Sequence, residues 1–127
     1  MRTATLTVVT FLLTGVLAAQ QPAFKRTVLQ QSDISAPGRE VISAVAEFEP
    51  RATPGRHTHF GEEVGYVLEG TFLIEQEGKP PLTLKSGGTF LIPAGTTHNA
   101  TNTGAGVGKI LATYIVEKGK PLATPAK

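Results

Sequence analysis

His57 and His59 stand two residues apart within Pro54–Gly70, PGRHTHFGEEVGYVLEG. In an extended chain alternate side chains share a face, so both imidazoles project together. Glu63 follows four residues after His59. Gly61 between them is expected to permit a tight turn that brings the carboxylate back beside the pair. His98, in GGTFLIPAGTTHNATN, is the remaining histidine of three. Taken singly, each would read as a solvated or hydrogen-bonded surface histidine. Together His57, His59, Glu63 and His98 form a nitrogen–oxygen donor set for one divalent metal ion. There is no cysteine, so thiolate ligands, cysteine nucleophiles and disulfides are excluded.

Three neutral imidazoles and one carboxylate carry a single negative charge. On an octahedral ion they leave two positions for water, dioxygen or a bidentate substrate. Glu63 neutralises half the metal charge and is the candidate catalytic base. Glu62 is its competitor, but strand phase turns it outward. Nitrogen–oxygen sites bind copper, nickel and zinc more tightly than iron or manganese, so spacing does not name the ion. Arg51 and Arg56 flank the histidine segment. They could hold an anionic substrate or stand as exposed strand-end arginines. Tyr66, Tyr114 and Phe72 could line a pocket, although strand aromatics more often fill a core.

The elements that must position these groups read as short strands. Strands are expected at 25–29, 40–48, 63–68, 71–76, 82–84, 89–92 and 109–117, with Pro- and Gly-rich turns between them. Over 40–48, Ile42, Ala44, Ala46 and Phe48 share one face, and Val41 and Val45 the other. Over 63–68, Glu63, Gly65 and Val67 share a face, so Gly65 either frees volume beside the metal or marks a bulge. No repeat and no long helix follows residue 19. The class is all-β, a sandwich or barrel.

The two histidine blocks resemble the paired motifs of the cupin superfamily. The first motif runs Gly, five residues, His-x-His, three or four residues, Glu, six residues, Gly. His57, His59, Glu63 and Gly70 match it, and Arg51 stands at the opening glycine. The second runs Gly, five residues, Pro-x-Gly, two residues, His, three residues, Asn. Gly87, Pro93, Gly95, His98 and Asn102 match it, with Gly88 where many members carry aspartate. The resemblance spans residues 51–102. It implies a double-stranded β-helix, a jelly-roll barrel with the metal inside its open end. It also implies iron or manganese before nickel, zinc or copper, and a homodimer. Asn102 is expected to be structural.

Around that barrel, taken as 40–117, the chain divides into residues 1–19, 20–39 and 118–127. Arg2, the apolar run Val8–Ala18 and small residues Ala18 and Ala19 read as a cleaved secretory signal, with a retained anchor as the alternative. Export to the periplasm or medium follows, with no membrane association once the signal is removed. Residues 20–39 read as an N-terminal extension with one strand, and 118–127 as an extended, mobile tail. The net charge of +2 is scattered, so no nucleic-acid partner is expected. The functions left are a metal-dependent enzyme and a non-catalytic metal or small-ligand binder. The enzyme would be dioxygenase-like, or a lyase or isomerase, acting on a small oxygenated organic molecule.

Overall fold

The computed structural model describes residues 20–127. The expected signal segment, residues 1–19, lies outside them. Ten strands form in order: β1 (Phe24–Asp33), β2 (Arg39–Phe48), β3 (His57–Thr58), β4 (Gly61–Glu69), β5 (Thr71–Gln76), β6 (Leu82–Lys85), β7 (Thr89–Ile92), β8 (His98–Asn102), β9 (Gly108–Glu117) and β10 (Thr124–Pro125). They build two sheets, ordered β1-β2-β9-β4-β7 and β10-β3-β8-β5-β6. All pairings are antiparallel. No helix occurs among the described residues.

Alternation decides which face each long strand buries. On β2, Ile42, Ala44, Ala46 and Phe48 turn into the core. On β9, Gly108, Ile110, Ala112, Tyr114 and Val116 do the same. On β4, Glu63, Gly65 and Val67 point in, while Val64, Tyr66 and Leu68 point out. Phe48 stacks edge-on against Phe24 and Phe72, with ring centroids 4.8 and 4.9 Å away. These rings close the barrel below the histidines.

Two glycines act through close approach rather than through turn conformation. Gly61 sits in β4 opposite Val116, and a Cβ there would collide with the Ile115 carbonyl. It therefore seats the start of β4 on β9, and the tight-turn expectation is replaced by this one. Gly65 pairs directly with Phe90, and a Cβ would fall inside the Phe90 ring. The space at Gly65 belongs to that ring, so neither ligand room nor a bulge explains it.

Asn102 ties the base of the site together. Its amide donates to the carbonyls of Phe48 (3.0 Å), Glu49 (3.2 Å) and Gly106 (2.8 Å), and its side-chain oxygen accepts from Gly104 N–H (2.9 Å). Arg51 N–H donates to the Asn102 carbonyl at 2.9 Å. Arg51 has φ of 69°, the left-handed conformation that the motif's glycine adopts without strain. An arginine there costs about 1–2 kcal/mol of local strain. Gly88 has no room for the aspartate of the general motif, because a Cβ would meet the Lys85 carbonyl at 2.9 Å.

The tail departs from expectation. Lys118 and Gly119 turn the chain, and the residues that follow are docked rather than free. Thr124 and Pro125 pair with Thr58 and His57, and Ala126 N–H donates to the Arg56 carbonyl at 2.9 Å. Main-chain pairing to β3 holds the segment against the histidines.

Candidate metal centre

The register of the second sheet sets His57 directly opposite His98. β4 of the first sheet supplies Glu63, which pairs with Tyr114 and Ile92 on its neighbouring strands. His59 lies just past β3, before β4 begins. All four side chains are buried. The imidazole centroids are 4.3 Å apart for His57–His98, and 4.9 Å apart for His59 with each of the others. One donor atom from each of the four lies within 4.8 Å of the rest. The four residues singled out by spacing therefore meet at one point and could hold a metal ion. Glu62 is half-exposed on the opposite face.

Each imidazole is locked by a main-chain carbonyl. Nδ1 of His57 meets the Gly55 carbonyl at 2.6 Å, Nδ1 of His59 the Leu122 carbonyl at 2.5 Å, and Nδ1 of His98 the Thr96 carbonyl at 2.8 Å. A carbonyl only accepts, so each Nδ1 carries the hydrogen. In the neutral ring Nε2 then presents a lone pair. Nε2 of His59 and of His98 each sit 3.0 Å from Glu63 Oε2. Lone pairs facing a carboxylate need a positive species between them, either a proton or a cation. This donor chemistry fits a divalent ion.

Burial, with the backbone bond from Gly55 and the neighbouring histidines acting against and with it, lowers His57 from 6.5 to about 4. Its ring is therefore neutral and ligand-competent well into the acidic range. Burial pushes Glu63 up, but hydrogen bonds and charge from His59 and His98 outweigh it and hold the carboxyl at about 2. Burial, reinforced by the charge of Glu63, raises the Tyr114 hydroxyl well above 10, so it remains a phenol.

The centre opens into a small cavity that continues towards the surface. Most of it is narrow, with room at the middle for about one or two water-sized molecules. Glu63, His57 and His98 form one wall, while Phe90, Ile110 and Tyr114 are among the groups forming the others. Tyr114 is both core and site: it is buried, and its ring lies edge-on to His59 at 4.8 Å. Phe72 is core only, and Tyr66 faces outward. Arg51 is exposed and Arg56 lines an outer pocket at the mouth. Arg26 escaped the sequence reading, yet it lines both the inner cavity and the outer pocket. Its only signal was the alternation of Phe24, Arg26 and Val28 along β1, which places Arg26 on the same face as an apolar ring.

Two antiparallel sheets around a buried His/Glu cluster define a double-stranded β-helix with a candidate metal centre. The family model described as "Cupin domain" matches residues 44–120, and the chain belongs to that family. A curated relative, the HTH-type transcriptional regulator PuuR of Escherichia coli, is 33% identical over 79 residues. That match covers 61% of this chain and 42% of the regulator, so the chain spans under half of the relative's length. Among solved structures, oxalate oxidase in complex with glycolate superposes with a TM-score of 0.65 at 22% identity, covering 80% of this chain and 54% of the other. DMSP lyase DddQ from Ruegeria pomeroyi gives a TM-score of 0.65 at 21% identity, covering 81% and 51%. These structural likenesses show the fold.

Proposed function

We propose that the protein is an exported, divalent-metal-dependent cupin enzyme acting on a small oxygenated organic molecule, by dioxygenase-like or by lyase or isomerase chemistry. One observation carries the reading: four buried donors converge, with every imidazole Nδ1 satisfied by a main-chain carbonyl and the Nε2 atoms of His59 and His98 turned to Glu63. Iron or manganese is favoured, ahead of nickel, zinc and copper. A bound ion would polarise a substrate oxygen and, if iron or manganese, give access to one-electron chemistry.

The chain's own groups do the rest. His57, His59 and His98 would bind through Nε2, and Glu63 through a carboxylate oxygen. Glu63 is the catalytic base of the proposal, accepting a substrate proton at that carboxylate. The Tyr114 hydroxyl keeps its proton beside it. Phe90, Ile110 and Ala112 give the chamber apolar walls. The oxidase and lyase among the structural relatives are consistent with either chemistry.

A second reading, a non-catalytic metal or small-ligand binder, is favoured by the narrowness of the cavity. The similarity to part of a transcriptional regulator points the same way. Export, and pairing of two copies through the edge strand β1 with its exposed Val28 and Leu29, belong to the proposal as well.

Elemental analysis tests the metal. The wild-type protein is expected to carry about one ion per chain, and His57→Ala or His98→Ala to lose it at least tenfold. Unchanged stoichiometry in both variants rejects the ligand assignment. Oxygen uptake and product analysis with catechols, flavonols, diketones and small hydroxy acids test turnover. Metal-replete protein that changes none of them leaves the binding reading in its place.

A further inference from the structure

Arg26 is the only arginine or lysine among the described residues that line the cavity. It projects from β1 between two rings, with its guanidinium carbon 5.3 Å from the Phe24 centroid and 5.5 Å from the Tyr114 centroid. These rings fix the plane of the guanidinium at little entropic cost. Its Nε–H is buried and has no hydrogen-bond partner. A buried donor left unmade is costly, and the cost is recovered when a ligand accepts from it.

The position matters as much as the chemistry. Phe24, Arg26, Pro54 and His57 line both the inner cavity and the outer pocket at the mouth, so Arg26 stands where one leads into the other. Arg56 joins it on the outer side. Inside, the charges of Arg26 and Glu63 cancel. A divalent ion would then leave two positive charges in a largely apolar chamber, which an anion can neutralise. Asn99 is a second polar group on the cavity wall, and Thr53 Oγ1–H donates to its side-chain oxygen at 2.8 Å. That bond leaves the Asn99 amino group as the end available to an acceptor.

We propose that Arg26 recognises the substrate's charge, and that the substrate is a small carboxylate that Arg26 would hold in the cavity it shares with His57, Glu63 and His98. The proposal rests on the metal-dependent reading above and narrows it to small organic acids. A planar guanidinium matches a carboxylate in geometry as well as sign, which an ammonium does not. The narrow chamber selects acids of a few heavy atoms.

Calorimetry of manganese-loaded protein with glycolate, set against neutral ethylene glycol, tests it. Glycolate is expected to bind the wild-type protein and ethylene glycol to bind at least tenfold more weakly. Arg26→Gln is expected to weaken glycolate by about 10- to 100-fold, as loss of a charge-assisted hydrogen bond does. Arg26→Lys keeps the charge without the planar fork and is expected to fall between. Elemental analysis and a thermal melt accompany each variant. Glycolate affinity unchanged in a folded, metal-replete Arg26→Gln protein overturns the proposal, as does a metal-replete wild-type protein that does not bind glycolate. Failure of the metal reading looks different: the wild-type protein itself then holds no ion.

Discussion

At residue 65 the absence of a side chain is a packing requirement. The Phe90 ring lies where a Cβ would project, on the strand paired with β4. Gly65→Ala is expected to destabilise the protein by about 1–3 kcal/mol, since the ring or the strand must shift. Denaturant unfolding reads this directly, and a midpoint within error of wild type would show that the ring has another place to go. His57 makes the second residue-scale prediction, for protein stripped of metal. Its folded pKa of about 4 lies below the ordinary 6.5. The unfolded chain therefore binds a proton first, and stability present above pH 6.5 is lost as pH falls towards 4. His57→Gln is expected to flatten that loss between pH 7 and 4.5, measured by unfolding in the presence of chelator. The convergence of His57, His59, Glu63 and His98 was legible before any fold was known, because motif spacing fixes which side chains meet. Gly65 was only half legible. Its inward phase followed from alternation, but its partner lies 25 positions away and depends on the β4–β7 register.

At the scale of elements, the C-terminal segment completes the site. The Leu122 carbonyl takes the Nδ1 hydrogen of His59, while pairing of Thr124 and Pro125 with β3 holds that carbonyl in place. Ending the chain after Gly119 is expected to free the His59 ring and weaken metal binding about 10- to 100-fold, the usual scale for a lost orienting partner. Competition with a chelator of known affinity measures it, and an unchanged affinity would make the tail a bystander. Composition suggested a mobile end because Lys118–Lys127 is basic and contains prolines. Docking rests mainly on main-chain atoms, with Leu122 as the one apolar side chain of the segment packed against the core, so the sequence carried little to announce it. Arg26 was obscured for a related reason. β1 is an edge strand with a mostly exposed pattern, and only its register on β2 carries residue 26 over the cavity.

For the whole molecule, an ion held at the centre would fasten the two layers together. His57 and His98 come from one sheet and Glu63 from the other. An ion shared among them would bind the folded barrel and not the open chain. Such an ion stabilises by about 2.7 kcal/mol at a free concentration 100 times its dissociation constant. Chelation is therefore expected to lower the melting temperature by about 5–15 °C, and re-addition of the same ion to restore it. A melt indifferent to chelator, in protein shown to be metal-loaded beforehand, would mean that the sheets hold together unaided. The strand alternation that makes this barrel readable from sequence also explains why the fold was anticipated more fully than the chamber inside it. Burial on one face is a local pattern, whereas the cavity is what several distant strands leave unfilled.

The hold on His59 is made by a peptide oxygen rather than by any side chain. Side-chain changes at Lys120, Pro121 and Ala123 therefore leave the clamp itself in place, whereas Gly119 is held to glycine by its φ of 75° and Leu122 also packs against the core. A substitution scan across that stretch would report backbone strain at Gly119 and lost packing at Leu122, and only a deletion, or an ester in place of the Leu122–Ala123 amide, would isolate the carbonyl's hold on His59.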